Sequence, residues 1–398
     1  MSLRDKACVT GIGETVYSKR AAKDVFGLQI EASLQAIADA GLTPKDIDGV
    51  IPIGVVSGIA EDFVDNFGIP DLHFSALIPH GGASPVIAIQ CAALAVAGGV
   101  CRHVLIAFGR NVSAAAAKAG ARIHQMPQFH YYTEFELPSG MAAPAQIYAP
   151  MARRHMELYG TTSEHFGEVA IAMREHALRN DNAMMSKPIT MADHHASRMI
   201  ADPFRLFDCS LESDGGAAFI ISAADCARDL KHRPVYISGV GAGHPDSPAS
   251  ITQRRDICGL GLGKAAPRAF RMADVTPADI QLAEVYDCFT YAVIRQFEEM
   301  GFCARGEGGP FVADGKLRPG GALPTNTHGG LLSQAHVWGM NHVVELVRYI
   351  VFFLPVILTE FLRQQGLHIA RNAVQKLEKK ALLFLRASKI HYRNAVLY

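Results

Sequence analysis

The chain has 398 residues, 49% of them hydrophobic and 19% charged, and its 38 basic and 38 acidic side chains give a net charge of zero. This length suits two domains or two fused halves with a sizeable core. The balanced charge argues against a nucleic-acid-binding protein, and eight cysteines without a C-x-x-C pair predict reduced thiols rather than disulfides or a zinc site.

The amino-terminal region predicts one strand followed by one helix. Residues 6–15, KACVTGIGET, form a short apolar run that ends in a glycine turn. Apolar residues at helical spacing predict a helix over 24–40, with Gly41 where it stops. No signal-peptide segment precedes this unit, so we expect a cytoplasmic protein of the α/β class.

Two short motifs recur in the same order. TPKDI (43–47) precedes the apolar run 50–54, and TPADI (276–280) precedes AEVYDCF (283–289), at a constant offset of 233 residues. His-Gly-Gly also occurs twice, at 80–82 and 328–330. TPxDI alone could be a common helix start, with threonine as the cap and proline in the first turn. The shared order of both motifs favours two copies of one β/α unit.

Each His-Gly-Gly predicts a turn from a strand into a helix. After Gly81 and Gly82 of the first copy, the predicted helix is nearly all Ala, Val, Ile and Leu through Val96, so it should be buried on every face. The second copy lies in NTHGGLLSQAHVWG (326–339), which places His336 just inside a second apolar helix. Two sheets that sandwich this pair of helices would satisfy their burial.

An insertion interrupts the first copy. Residues 109–208 predict a long insertion over the active site, with a helix capped by Thr161 and Glu164. The segment 208–222 then predicts a loop and the strand that closes the first half. We therefore divide the chain into halves at 1–229 and 230–342.

The remaining residues, 343–398, predict an atypical tail. It is apolar over 347–362 and basic afterwards, and the apolar core of nine residues is shorter than the roughly 20 that span a bilayer. We expect residues 350–398 to be mainly helical, to pack at the periphery and to leave an edge of the second sheet uncovered.

The combined motifs resemble the thiolase superfamily, and most closely its SCP2-type, lipid-transfer-protein-like branch. The resemblance covers residues 5–342 and rests on the duplicated unit, the buried alanine-rich helix, SDGGAA (213–218), YDCF (286–289) and NTHGGLLSQAHVWG. It implies the five-layer αβαβα thiolase fold with two pseudo-symmetric halves. It also implies a coenzyme A thioester substrate, a homodimer, and neither a cofactor nor a metal.

The family's nucleophilic cysteine has no counterpart here. It stands at the start of the buried helix, in a C-x-S-G turn, and this chain has Gly82 at that position. The turn could still bind an oxyanion through its backbone N–H groups. Ser84 is either a substitute nucleophile near His80 or a cap of the first turn, and Cys91 is expected to be a core residue.

Two further family motifs supply candidate catalytic residues. The N-x-x-G-G…G-H-P motif matches Asn326, Gly329, Gly330 and His336, with Gly329 and Gly330 as turn or oxyanion residues. The third motif is Tyr286-Asp287-Cys288-Phe289 here. His336 and Tyr286 are candidates for proton transfer and Cys288 for an acid or base, although each could instead be a core residue. A fourth motif, C-x-G in a glycine-rich loop, has no match.

These residues leave three functional hypotheses. A site with histidine and tyrosine but no acyl-carrying cysteine suits non-covalent, aldolase-like formation or cleavage of a carbon–carbon bond in a lipid or steroid acyl-CoA. The alternatives are a thiolase or acyltransferase that uses Cys288, and a non-catalytic lipid-binding or assembly subunit. Steroid side-chain retro-aldolases of this branch use tyrosines and a small OB-fold partner, so the resemblance implies such a partner. No nucleic acid and no spanning membrane segment are expected.

Overall fold

The computed structural model describes residues 3–54, 58–112, 132–246, 251–353 and 395–397. The strands are β1 (Ala7–Glu14), β2 (Gly49–Pro52), β3 (Phe74–Ser75), β4 (His103–Arg110), β5 (Met199–Ala201), β6 (Phe204–Arg205), β7 (Gly215–Ala223), β8 (Val235–Tyr236), β9 (Leu282–Glu284) and β10 (Ala395–Leu397). The α-helices are α1 (Val25–Ala40), α2 (Ala60–Phe67), α3 (Ser84–Ala97), α4 (Pro144–Tyr159), α5 (Ser163–Ala177), α6 (Met191–Ala196), α7 (Leu262–Ala273), α8 (Thr290–Met300), α9 (Gly308–Val312) and α10 (Met340–Arg348).

A six-stranded mixed sheet forms the first half. Its order is β3-β2-β4-β7-β1-β8, with β7 antiparallel to both β1 and β4, and β2 parallel to β3 and β4. Both of its long central strands, β4 and β7, are buried along nearly their whole length because helices cover the two faces of the sheet. The predicted strand over 6–15 and helix over 24–40 are confirmed as β1 and α1.

Helix α1 packs very closely on β1. A Cβ atom at Gly11 would lie 2.2 Å from the carbonyl oxygen of Ala36, and one at Gly13 would lie 2.2 Å from that of Ala32. Glycine is therefore required where the helix backbone meets the strand. On the opposite face of the sheet, α3 and α10 share an apolar cluster with β4 that includes Ala92 and Val344.

The duplicated unit is visible in the local structure. Thr43 and Thr276 each begin a 3₁₀ turn, and their backbone N–H groups donate to Asp46 and Asp279 at 2.7 and 2.8 Å. The offset of 233 residues also relates the first residues of β2 and β9 and the last residues of α1 and α7. TPxDI is a 3₁₀ start in both copies, and the prediction of two equivalent units agrees with the structure.

The second half has a smaller sheet. In the described residues β9 pairs in parallel with β10 on one side, and Ala283 forms a parallel bridge with Thr325 on the other. Helices α7 and α8 pack against each other in this half, and the second apolar cluster centres on α8. The layers, with α3 and α10 in the middle, agree with the predicted αβαβα thiolase fold.

Helix α3 and the second His-Gly-Gly turn differ from the expectations. Leu94 of α3 is 51% exposed, so one face of this apolar helix faces solvent and the expected burial on every face is wrong for the single chain. The second turn enters one turn of π-helix, Gly330–Gln334, before α10 begins at Met340. His336 therefore lies in a loop before the helix rather than inside it.

Three boundaries also need correction. The cap of α5 is Thr162 instead of Thr161, because its backbone N–H bonds to the His165 side chain and the helix begins one residue later than expected. The insertion follows Arg110, where β4 ends. The limit at 342 falls inside α10, whose buried apolar residues continue the helix.

The tail prediction is wrong at its end. Residues 395–397 form a strand parallel to β9, and with the bridge from Thr325 both sides of β9 are engaged. The three residues of β10 pair along the whole of β9, because β9 itself is only three residues long. Residues 354–394 lie outside the described part of the chain, so the predicted helical character there stays a prediction. Among the described residues, no helix has both the length and the apolar character needed to cross a bilayer.

Candidate active site

Tyr286 and His336 meet in a hydrogen-bonded pair. Tyr286 follows β9 by two residues, and its hydroxyl lies 3.0 Å from Nε2 of His336. Both residues are partly exposed, so a substrate can reach them. The sequence offered Tyr286 and His336 as separate candidates for proton transfer, and the structure brings them together although they are 50 residues apart in the chain.

Gly82 lies directly against the ring of Tyr286. A Cβ atom at position 82 would be 2.1 Å from Cζ of Tyr286 and 2.5 Å from both Cε atoms. Gly339 faces the ring as well, since its Cβ would lie 3.2 Å from Cδ2. The phenol ring therefore occupies the space that a side chain at position 82 would need, and a nucleophile there would displace Tyr286.

Three polar side chains hold His336 in place. Ser210 Oγ lies 3.1 Å from Nδ1, the Ser213 hydroxyl accepts a hydrogen bond from the His336 backbone N–H at 3.0 Å, and Arg110 donates to the His336 carbonyl at 2.8 Å. Ser210 is itself fixed, because its backbone N–H donates to the Cys288 carbonyl at 3.0 Å. The imidazole thus has a partner at each nitrogen.

The backbone beside His336 is strained. Trp338 has a φ of 56°, a left-handed conformation that bulky residues rarely adopt, and its ring stacks on Phe108 at a centroid distance of 5.1 Å. Such a conformation costs on the order of 1–3 kcal/mol and persists only where packing imposes it. The stacking therefore helps to hold the loop that presents His336.

Burial sets the protonation states of the pair. Desolvation and the charge of Arg110 hold the pKa of His336 well below its usual 6.5, so the imidazole is neutral at pH 7. Desolvation, followed by the proximity of Cys288 and Tyr148, raises the pKa of Tyr286 well above 10. The pair consists of a neutral phenol next to a neutral imidazole, which can take up and return one proton.

Cys288 is near the pair but faces a different partner. Its thiol lies close enough to Tyr148 of α4 for each group to affect the pKa of the other, and burial raises the pKa of Cys288 to about 12, with Asp287 adding to the shift. At neutral pH the thiol is therefore protonated and a poor nucleophile. The structure places Cys288 beside the predicted site in an unreactive state.

Asn326 supports the site from behind. Its Oδ1 accepts from the Val285 N–H at 2.7 Å, and its Nδ2 donates to the Val285 carbonyl at 2.9 Å. This side chain is fully buried and holds the peptide that precedes Tyr286. The structure therefore makes Asn326 a positioning residue, whereas the sequence suggested a catalytic one.

The remaining predicted residues are also structural. Ser84 is fully buried and accepts a hydrogen bond from the His80 N–H at 2.8 Å, so it caps the turn and is not a nucleophile. Gly329 and Gly330 have positive φ, and a Cβ at Gly330 would lie 2.0 Å from Asp287 Oδ2. Asp287 accepts hydrogen bonds from the N–H groups of Leu331 and Leu332. Of the two glycines predicted as turn or oxyanion residues, Gly329 already donates its N–H to the Asn326 carbonyl at 2.8 Å, which favours the turn role for it.

The first turn keeps part of its predicted role. The N–H of Ala83 donates to the His80 carbonyl and that of Ser84 to the Gly81 carbonyl. This leaves the N–H groups of Gly81 and Gly82 as those the turn could offer to a thioester oxygen.

Sequence reasoning missed four residues of the site. They are Arg110, Tyr148, Ser210 and Ser213. Tyr148 and Ser210 come from the insertion and the loop that follows it, and no motif marks them. Their proximity to His336 and Cys288 depends on how the insertion folds back over the second half.

The chain belongs to the thiolase superfamily. Residues 243–352 match the family model described as thiolase C-terminal domain-like. The chain is 40% identical over 352 residues to a steroid side-chain-cleaving aldolase of Thermomonospora curvata, covering 86% of this chain and 90% of the relative. It is 39% identical over 353 residues to the 17-hydroxy-3-oxo-4-pregnene-20-carboxyl-CoA lyase of Mycobacterium tuberculosis, covering 87% and 92%.

A solved structure agrees with these relatives. The Ltp2-ChsH2(DUF35) aldolase superposes with a TM-score of 0.81 at 39% identity, covering 87% of this chain and 90% of that chain. The predicted membership of the SCP2-thiolase-like branch, the predicted thiolase fold and the prediction of an enzyme are therefore confirmed.

Proposed function

We propose that this protein cleaves a carbon–carbon bond of a β-hydroxyacyl-CoA by a non-covalent retro-aldol reaction. The observation that carries this proposal is the Tyr286–His336 hydrogen bond packed directly on Gly82. The position where the superfamily holds its nucleophile has no side chain, and the proton-transfer pair fills the same space. The names of the aldolase and lyase relatives support the same reaction class.

The pair provides both proton transfers of the reaction. The substrate hydroxyl gives its proton to the pair, with Tyr286 passing its own proton to neutral His336. The hydroxyl oxygen becomes the carbonyl oxygen of the product ketone or aldehyde as the Cα–Cβ bond breaks. The electron pair moves onto the acyl fragment as a thioester enolate, which then receives the proton back at Cα. No bond to the enzyme forms, and the balance needs neither oxidant nor reductant.

A thiolase reaction through Cys288 is less well supported. Its thiol is buried and protonated at neutral pH, whereas acyl transfer needs a thiolate. A purely non-catalytic lipid-binding or assembly subunit would not need a neutral imidazole aligned with a phenol. Both alternatives remain outcomes of the experiment below.

The partners are proposed on the same basis. The name of the Ltp2-ChsH2(DUF35) aldolase supports a small OB-fold partner for this chain. The resemblance to the thiolase superfamily implies a homodimer, and the chemistry above calls for no cofactor.

The test incubates the purified chain, alone and with a DUF35-type partner, with a β-hydroxyacyl-CoA that carries a tertiary alcohol. Chromatography with mass spectrometry should detect the shortened acyl-CoA and the released ketone. Tyr286→Phe and His336→Gln should each lose about 10²–10⁴ in rate. Matched controls are Tyr159→Phe, whose hydroxyl bonds Arg305, and His73→Gln, which is an exposed histidine. Both controls should keep the activity of the unaltered protein.

Intact-mass spectrometry of the same mixtures decides between the hypotheses. The proposal requires an unmodified protein mass throughout turnover. A stable acyl adduct on Cys288 would establish the acyltransferase alternative. Absence of product with every tested acyl chain and partner, while the folded protein still binds acyl-CoA, would support the non-catalytic subunit.

A further inference from the structure

A second polar cluster lies beside the Tyr286–His336 pair. It consists of Glu284 at the end of β9, His328 in the second His-Gly-Gly turn and His342 in α10, each at most 1% exposed. One potential ligand atom from each side chain lies within 4.8 Å of the other two. Two imidazoles and a carboxylate are the donor set that proteins commonly offer to zinc. The reaction described above uses none of the three.

Glu284 is held with one oxygen free. Its Oε1 accepts from the N–H and the hydroxyl of Thr327 at 3.0 and 3.3 Å. Oε2 accepts no hydrogen bond from the described protein. Thr327 therefore holds Oε1 of Glu284 in place, and Oε2 has no hydrogen-bond partner in the described structure.

His328 is the most unusual member, because neither of its ring nitrogens makes a hydrogen bond within the described structure. Nδ1 is 3.2 Å from Oε2 of Glu284, but the contact does not have the direction of a hydrogen bond. A fully buried imidazole with two unused nitrogens is rare, since interior polar groups nearly always have partners. These orphaned atoms lie where an ion between the three side chains would satisfy them.

His342 can donate a nitrogen while staying anchored. Its Nε2 lies 2.9 Å from the Val285 carbonyl and 3.1 Å from Asp287 Oδ1. Nδ1 makes a long hydrogen bond of 3.4 Å to Asn341 Oδ1, and an ion bound at this nitrogen would replace that bond. A histidine ligand whose other nitrogen bonds a carboxylate is a frequent arrangement in protein metal sites.

We propose that Glu284, His328 and His342 bind a structural divalent transition-metal ion, with Zn²⁺ as the best match to the donor set. Glu284 precedes Tyr286 by two residues, and His328 and His342 flank His336 in the chain. One ion would thus join β9, the second His-Gly-Gly turn and α10, which adjoin Tyr286 and His336 in the chain. The cysteine spacing argued against a zinc site built from cysteines, and this cluster contains no cysteine. The inference stands independently of the proposed reaction.

The experiment measures bound metal in the full chain. The protein is produced in zinc-supplemented medium, desalted to remove loose ions and analysed by plasma mass spectrometry. We expect about one zinc ion per chain. His328→Gln and Glu284→Gln should lose it while keeping a native far-ultraviolet circular dichroism spectrum. The matched control His73→Gln removes an exposed histidine and should keep the ion.

X-ray absorption at the zinc edge of the unaltered protein keeps the test decisive if a variant fails to fold. The spectrum should show two imidazole ligands and oxygen. Sulfur ligation or an all-oxygen shell would overturn the proposal. So would less than about a tenth of an ion per chain after zinc supplementation, or full retention of zinc in both folded cluster variants.

Discussion

Adding one methyl group at Gly82 should disable the site without unfolding the protein. In Gly82→Ala the new Cβ would lie 2.1 Å from Cζ of Tyr286, whereas carbon atoms in contact sit about 3.5–4.0 Å apart. The ring must therefore retreat by roughly 1.5 Å. Gly339 is also close to the ring, since a Cβ atom there would lie 3.2 Å from Cδ2 of Tyr286.

This displacement of the Tyr286 ring is large compared with the 3.0 Å length of the hydrogen bond between Tyr286 and His336, so that hydrogen bond should break. A displacement of about 1 Å in a catalytic group costs on the order of 10² in rate, and we expect a fall of 10²–10³ in kcat/KM. Overpacking should cost about 1–3 kcal/mol in the free energy of unfolding. Gly82→Cys should behave alike and form no acyl-enzyme, because its thiol would compete with the phenol for one space.

Steady-state kinetics and thermal unfolding measure both effects. Gly27→Ala adds the same methyl group within α1, where only the Asp24 side chain comes within 3.1 Å, and should leave kcat/KM unchanged. In the double variant Gly82→Ala, Tyr286→Ala the missing ring leaves room for the methyl group, so the two stability losses should be strongly non-additive. Unchanged kcat/KM in Gly82→Ala, or additive losses in the double variant, would refute the steric argument.

Four other outcomes follow from the structure. Burial and Arg110 hold the pKa of His336 well below 6.5, so the acid limb of the pH profile of kcat/KM should lie below pH 6.5. Arg110→Gln should move this limb to higher pH. An acid limb above pH 6.5 in the unaltered enzyme would contradict this. Desolvation lowers the pKa of His176 to about 4 in the folded protein, so between pH 6.5 and 4 only the unfolded state takes up this proton. The melting temperature should therefore fall as the pH is lowered from 6.5 to 4, and it should fall less steeply in His176→Gln. Gly330→Ala should lose more than about 3 kcal/mol in denaturant unfolding, since its Cβ would meet Asp287 at 2.0 Å in a left-handed backbone conformation. Asn326→Asp removes the donor to the Val285 carbonyl and should cost about 1–3 kcal/mol by the same measurement, together with a lower kcat; equal stability would make its two bonds unimportant.

The duplicated architecture could be predicted from local sequence motifs. TPxDI specifies the same 3₁₀ turn in both copies because threonine, proline and aspartate at that spacing satisfy the first backbone N–H groups locally. The motifs around Gly82, Tyr286 and His336 also indicated the three residues that the structure brings together. Such signals are readable because they depend on a few consecutive residues.

Which of the candidate residues lie together depends on the tertiary structure. Asn326 and Ser84 have side chains of a type used in catalysis, but both accept hydrogen bonds from backbone N–H groups in this fold. Tyr148 and Ser210 carry no motif and reach the site because the insertion packs on the second half. The strand at 395–397 likewise pairs with β9 across more than a hundred residues. Contacts between distant segments follow from the packing of whole elements, and a local pattern does not contain that information.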